Sequence, residues 1–377
     1  MKLSPRISLR AISRAVIGGI ACTLYLFVSA GLPATSVAAT LPGQVQPPRY
    51  ICPPCNHEQD LFQASAVRAR GSCHVCGMEL VEKPLRLDTA EGSIREGSGS
   101  FLVDSNTPDS NPLAVFYHRP ENLRKDAPVV IVLPGAGRNA WRYRDTWVDP
   151  SEKYGVLVLS PHYSEKYYPE FWSYNIAGMI ENVRINKERT RVSGYDINRR
   201  AETWLFSDFD RIFETAVAEL GMTTATYDLF GHSAGGQVLH RYTLFAGDSK
   251  ARRILAGNSG WYTVPRFDKP FPFGTGSDML DRDGLKKAFK RELVVFLGEL
   301  DNADETRGHL VRTPDVNWQG DHRLSRGKYF FAQAQERARE LGTELQWQLE
   351  VVPGVGHDYP AMGKAAADYL YGDSRRP

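Results

Sequence analysis

The chain has 377 residues, room for two or three domains at about 150 residues each. It is 42% hydrophobic and 24% charged, an ordinary globular balance that excludes a disordered or fibrous chain. Lys+Arg total 46 and Asp+Glu 44, a net charge of +2, and removing Lys2, Arg6, Arg10 and Arg14 with the first 39 residues turns it to −2. No basic excess is left to neutralise phosphates, so nucleic acid is not an expected partner.

Those four basic residues open the chain without an acid among them, and residues 15–30 follow as an apolar run. That run is shorter than the roughly 20 residues a bilayer span needs. Small residues then gather over 34–40, and Val37 and Ala39 suit a signal-peptidase cut before Thr40. Residues 1–39 read as an export signal, with an uncleaved anchor as the alternative. Either way the rest of the chain is expected outside the cytoplasm, periplasmic or secreted, and free of the membrane once the signal is cut.

Residues 40–49 are proline-rich and read as an extended linker. Residues 50–84 then hold two pairs, Cys52-Pro-Pro-Cys55 and Cys73-His-Val-Cys76, with 17 residues between them. A Cys-x-x-Cys turn points two thiolates at one cation, and two such turns close a tetrahedral shell for zinc. A block this short buries little core, so a metal or disulfides must hold it together. Both options stand, because an oxidising compartment also permits two disulfides. Tyr50-Ile-Cys-Pro-Pro-Cys55 and Gly71-Ser-Cys-His-Val-Cys-Gly-Met-Glu-Leu80 resemble the small heavy-metal-binding ribbon of exported bacterial metal-handling proteins. The resemblance implies zinc on Cys52, Cys55, Cys73 and Cys76, with His57 and His74 as reserve ligands. Four thiolates leave no open position, so a structural ion is expected rather than a catalytic one.

Residues 85–100 read as a second linker, with the Gly/Ser-rich stretch 91–100 as a hinge. Residues 101–377 form the large domain. Residues 113–118 alternate weakly, while 129–133 and 156–159 are continuous apolar runs suited to strands buried on both faces of a parallel sheet. Apolar residues recur at helical spacing over 203–220 and stop at Gly221. A strand over 227–230 and a helix over 235–245 follow. Strands at 253–256, 293–297 and 349–352, with helices at 329–341 and 361–371, complete the alternation. The fold class is α/β: a doubly wound, mostly parallel sheet preceded by the small four-cysteine ribbon.

Gly231-His-Ser-Ala-Gly235 lies between a predicted strand and a predicted helix, the setting of a nucleophile elbow. Small residues at 231 and 235 leave room for a strained Ser233, with Gly236 adding clearance. A serine hydroxyl needs a base to take its proton, and in the order Ser, acid, His the candidates are His309, His322 and His357. His357 is favoured, because residues 353–357 form a loop directly after a buried strand. His232 reads as a packed elbow residue. The acid is expected after strand 293–297, where Asp301 is preferred, Asp304 is the alternative and Glu299 the third choice. Two N–H donors for a developing oxyanion are expected from Ala234 and from Ala136 or Gly137 in the loop Pro134-Gly-Ala-Gly-Arg138. Taken instead as a phosphate loop, that segment lacks the third glycine of the dinucleotide fingerprint.

The loops Pro134-Gly-Ala-Gly137, Gly231-His-Ser-Ala-Gly-Gly236 and Gly298-Glu-Leu-Asp301 resemble those of exported α/β-hydrolases of the polyhydroxyalkanoate-depolymerase and feruloyl-esterase type. The resemblance spans about residues 110–372. It implies Ser233, Asp301 and His357 as nucleophile, acid and base. It departs at Pro134, where that group carries a histidine. The insertion 161–201 holds Tyr163, Tyr167, Tyr168, Phe171, Trp172 and Tyr174; Tyr163, Trp172 and Tyr174 are the candidates for binding an acyl group, with plain packing as the other reading. Residues 302–327 are a second irregular segment, whose Arg323 and Arg326 either wall the site or pair with Asp315 and Asp321 on the surface. The expected function is an exported serine hydrolase cleaving carboxylic esters, small or polymeric, with no cofactor for catalysis. A metal-binding protein with an inert hydrolase scaffold and a serine peptidase are the alternatives.

Overall fold

The computed structural model describes residues 49–51, 81–83, 94–103, 113–164, 167–168, 170–185, 192–308 and 310–372. The expected export signal, the four paired cysteines, His57, His74 and His309 lie outside the described residues. Among the described residues no helix is long and apolar enough to cross a membrane.

Strand β1 (Arg49–Ile51) pairs antiparallel with β2 (Val81–Lys83) in a sheet of its own. The main sheet begins with β3 (Gly97–Val103), β4 (Leu113–Arg119) and β5 (Val129–Leu133). Helices α1 (Ala140–Thr146) and α2 (Val148–Tyr154) lead to β6 (Leu157–His162). The insertion carries the short α3 (Phe171–Tyr174) and a hairpin of β7 (Ile180–Ile185) and β8 (Val192–Ile197). Then come α4 (Phe206–Leu220), β9 (Tyr227–His232), α5 (Ala234–Phe245) and β10 (Ala251–Gly257). The chain continues with α6 (Arg282–Phe289), β11 (Glu292–Gly298), α7 (Pro314–Asn317) and α8 (Arg323–Glu340), and closes with β12 (Gln348–Val352) and α9 (Tyr359–Tyr371).

The eight-stranded sheet runs β12-β11-β10-β9-β5-β6-β4-β3. Its pairs are parallel from β12 to β6 and antiparallel where β4 meets β6 and β3. Side chains alternate across a strand, so each continuous apolar run feeds two cores. On β5, Val129, Ile131 and Leu133 face the core shared with α4, α5, α6 and α8, while Val130 and Val132 face the core shared with α1, α2 and α9. Both faces are therefore covered by helices, and the rim holding the carboxyl ends of the parallel strands is left for loops.

Three expectations are corrected here. The stretch read as a hinge is structured at its end: Gly97–Val103 is the edge strand of the main sheet, and Ile94 is buried in its core. Gly and Ser are poor strand formers by composition, yet pairing along all of β4 holds them extended. The insertion carries a hairpin where the sequence suggested irregular chain. Helix α8 starts at Arg323, six residues before the apolar period that marked it, because His322 and Ser325 form a reciprocal cap at its first turn.

Candidate active site

Strand β9 ends at His232 and α5 begins at Ala234, so Ser233 alone makes the turn. Its φ is 58° and ψ −111°, a sparsely populated conformation for a residue with a side chain. Glycines make that strain affordable. A Cβ on Gly231 would come within 2.5 Å of the Gly235 carbonyl group, and one on Gly235 within 2.4 Å of the Leu133 oxygen. One on Gly236 would meet the Gly257 oxygen at 2.4 Å. The elbow is thus wedged between the ends of β5 and β10, and the Ser233 N–H donates to the Gly257 carbonyl at 2.8 Å.

The loops after β11 and β12 bring the other two side chains. His357 Nε2 lies 3.1 Å from Ser233 Oγ, and His357 Nδ1 lies 2.8 Å from Asp301 Oδ2. A carboxylate only accepts, so Nδ1 carries the ring proton and Nε2 is left to accept from the serine hydroxyl. Asp301 is 1% exposed and His357 9%. Asp304, by contrast, is exposed, and Glu299 accepts from the Gly354 N–H at 2.8 Å. Neither reaches the imidazole. His322 caps α8 instead.

Several more groups hold this geometry; the sequence marked only His232, as a packed elbow residue, and Arg323, as a wall or surface residue, and did not mark Asn258 or Glu305. Asn258, fully buried with φ 44°, donates to the Gly356 carbonyl at 3.1 Å and accepts from the Gly298 N–H at 2.7 Å, tying the two loops together. Glu305 accepts from the His357 backbone N–H at 2.6 Å. Its carboxyl is held down to about 2, first by the Arg307 guanidinium and also by backbone N–H donors from His357 and Arg307. The Arg323 guanidinium donates to Asp301 Oδ1 at 3.1 Å, and the Leu324 N–H donates to the Asp301 carbonyl. His232 packs against the His357 ring at 4.6 Å with its Nδ1 3.2 Å from the Tyr143 hydroxyl. Burial pushes the His232 imidazole well below the usual histidine range, so it stays neutral beside the relay.

The loop after β5 turns beside the elbow. Ala136 and Gly137 are exposed, while Arg138 is buried at φ 50° and its N–H donates to the Gly135 carbonyl. The Arg138 side chain donates to the carbonyls of Tyr168 and Glu170, and the Tyr174 hydroxyl donates to the Pro134 carbonyl at 2.6 Å. Ala234 opens α5, whose first N–H groups have no acceptor within the helix.

Of the three aromatic candidates, two take the packing reading. Tyr163 and Tyr174 are fully buried, Tyr163 donating to Asp208, so they pack the insertion against the body. Trp172 is partly buried and Phe171 is exposed. Arg323 and Arg326 are also buried rather than paired on the surface; Arg326 donates to the carbonyls of Gly260, Gly320 and Val311. Among the described residues no group of three or more His, Cys, Asp or Glu side chains is placed to hold a metal.

A doubly wound sheet with a strained strand-to-helix turn at its rim defines an α/β-hydrolase. Comparison with solved structures agrees. Poly(aspartic acid) hydrolase-1 from Sphingomonas sp. KT-1 is 32% identical with a TM-score of 0.66, over 74% of this chain and 100% of that one. A poly(3-hydroxybutyrate) depolymerase from Bordetella parapertussis is 29% identical with a TM-score of 0.65, over 75% of this chain and 92% of that one. No family profile and no curated protein sequence matches. The chain belongs to the α/β-hydrolases and is a hydrolase.

Proposed function

We propose that the protein is a serine hydrolase that cleaves carboxylic esters through an acyl-enzyme. The observation that carries this reading is the continuous Asp301–His357–Ser233 relay, with links of 2.8 and 3.1 Å, ending on a serine held in elbow geometry. Ser233 attacks the carbonyl carbon while His357 takes its proton, and His357 then protonates the leaving alcohol. Asp301 fixes the tautomer and stabilises the imidazolium. The N–H of Ala234, with one from Ala136 or Gly137, receives the oxyanion. Water enters by the same route in reverse and frees the acid.

The two solved relatives act on polymers joined through acyl carbons, one a polyester and one a polyamide, which supports a polymeric acyl substrate. The polyamide relative favours amide cleavage as the second reading, run by the same residues. Export by the segment 1–39 and a structural zinc on Cys52, Cys55, Cys73 and Cys76 belong to the proposal too. Hydrolysis does not pass through that ion, since four thiolates leave it no open position. The test is fluorophosphonate labelling of the folded chain, followed by hydrolysis of poly(3-hydroxybutyrate), poly(aspartic acid) and nitrophenyl esters. An adduct on Ser233 with ester turnover supports the reading; a folded, unlabelled Ser233 overturns it.

A further inference from the structure

At the far edge of the main sheet a second serine, histidine and acid are joined. Ser98 on β3 faces its cross-strand partner His118 on β4, with Oγ 2.8 Å from His118 Nδ1. His118 Nε2 lies 2.8 Å from Glu152 Oε1 on α2. Glu152 Oε2 accepts from the Glu121 N–H at 3.1 Å, which fixes the carboxylate. The protonation pattern follows from valence. A carboxylate only accepts, so Nε2 carries a proton; in the neutral ring Nδ1 is then bare and accepts a hydrogen bond from the Ser98 hydroxyl. The ring is 5% exposed and held from both sides, whereas Ser98 is exposed to solvent. The hydroxyl is thus open to solvent and within hydrogen-bond reach of a base.

We propose that Ser98 is a second nucleophilic serine, activated by His118 and Glu152, that accepts acyl or phosphonyl groups from small activated donors. In the acyl case Oγ bonds to the donor's carbonyl carbon as the hydroxyl proton passes to His118 Nδ1. The bond to the leaving group breaks with its electron pair, and His118 returns the proton to that group. The products are an ester on Ser98 and the free alcohol or phenol. Ser98 lies in an extended strand and not at a helix N-terminus, so helix N–H groups do not converge on the tetrahedral oxygen. Its rate enhancement is that of a positioned general base alone, about 10²–10⁴-fold. That restricts it to donors with a good leaving group, and makes the adduct a stoichiometric modification and not a turnover.

The experiment uses the full chain with Ser233→Ala, which silences the elbow without touching the second site. The protein is treated with a fluorophosphonate or with nitrophenyl acetate and mapped by peptide mass spectrometry. Ser193 is the internal reference: it too is exposed on a strand, but its hydroxyl bonds to the Arg184 carbonyl and to no histidine. Ser98 is expected to be labelled at least about tenfold faster than Ser193. Adding Glu152→Gln, at a side chain 43% exposed, is expected to cut that rate about tenfold or more with the fold intact by circular dichroism. The amide donates to Nε2, turns the ring tautomer and leaves Nδ1 protonated. Labelling of Ser98 no faster than Ser193, or a rate untouched by Glu152→Gln, overturns the proposal and leaves His118 as a strut between β4 and α2.

Discussion

The two serine–histidine–acid chains stand at different places on one sheet and have nearly the same links, 3.1 and 2.8 Å at the carboxyl rim against 2.8 and 2.8 Å at the antiparallel edge. Their surroundings differ in every other respect. Ser233 sits at φ 58° ahead of a twelve-residue helix, while Ser98 lies in a strand. The Asp301 side chain is 1% exposed and that of Glu152 43%. A carboxylate in water spends its charge on solvent; one sealed among protein groups spends it on the imidazole. The contrast teaches that a relay is not by itself a hydrolytic site. Converging N–H donors, each worth about 10²–10³ in rate, and a buried acid make up the rest.

The largest expected effect tests that division directly. Ser233→Ala is expected to lower kcat/KM on a nitrophenyl ester by about 10⁵-fold, because no group at the rim replaces the attacking oxygen. Retention of more than a hundredth of the activity would mean that Ser98 or another residue turns over the ester, which breaks the comparison. Asp301→Asn comes next, with a loss of about 10⁴-fold in kcat from inversion of the His357 tautomer. Thermal unfolding measured on the same protein separates this loss from misfolding.

A third variant addresses the acid's other oxygen. Asp301 Oδ1 is held by Arg323, itself 2% exposed, at the first turn of α8. Arg323→Met removes that donor and frees the carboxylate to turn away from His357. The expected outcome is a fall of about tenfold in kcat with KM unchanged, part of it recovered by Arg323→Lys. A change confined to KM would place Arg323 in substrate binding instead.

Signals in the sequence were strong where one element carries the whole message. Buried runs such as Val129–Leu133 are apolar without a break because both faces are covered, and Ser233, Asp301 and His357 each follow such a run or a half-buried one. Signals were weak where the message belongs to a partner. Gly97 to Ser100 reads as a hinge by composition, and only pairing with β4 makes it a strand. Arg323 looks like a surface residue until α8 is placed beside Asp301. Asn258 has no pattern of its own; its role exists only once the loops after β11 and β12 lie on either side of it. Tyr163 and Tyr174 carry the composition of a substrate wall, but aromatic rings serve equally well as glue, and their burial settles which.

The smallest expected effect concerns the loop over His357, a feature of the rim alone. Glu305 accepts from the His357 N–H and pairs with Arg307, which in turn reaches Asp358. Its carboxyl sits at about 2 in the folded protein, below the ordinary value near 4.3 of an exposed glutamate. The folded state therefore favours the charged form. That contribution is complete above about pH 5 and disappears as pH falls through the folded value. Arg307 is half exposed, so solvent screening limits the worth of the pair to about 1 kcal/mol. Glu305→Gln is expected to lower the melting temperature by about 2–4 °C at pH 7 and to slow kcat severalfold through a looser His357. Melts of both proteins across pH 7 to 2 are expected to converge at the acid end, because wild-type Glu305 then loses the charge the variant never had. A gap that persists unchanged to pH 2 would assign the effect to shape and not to charge.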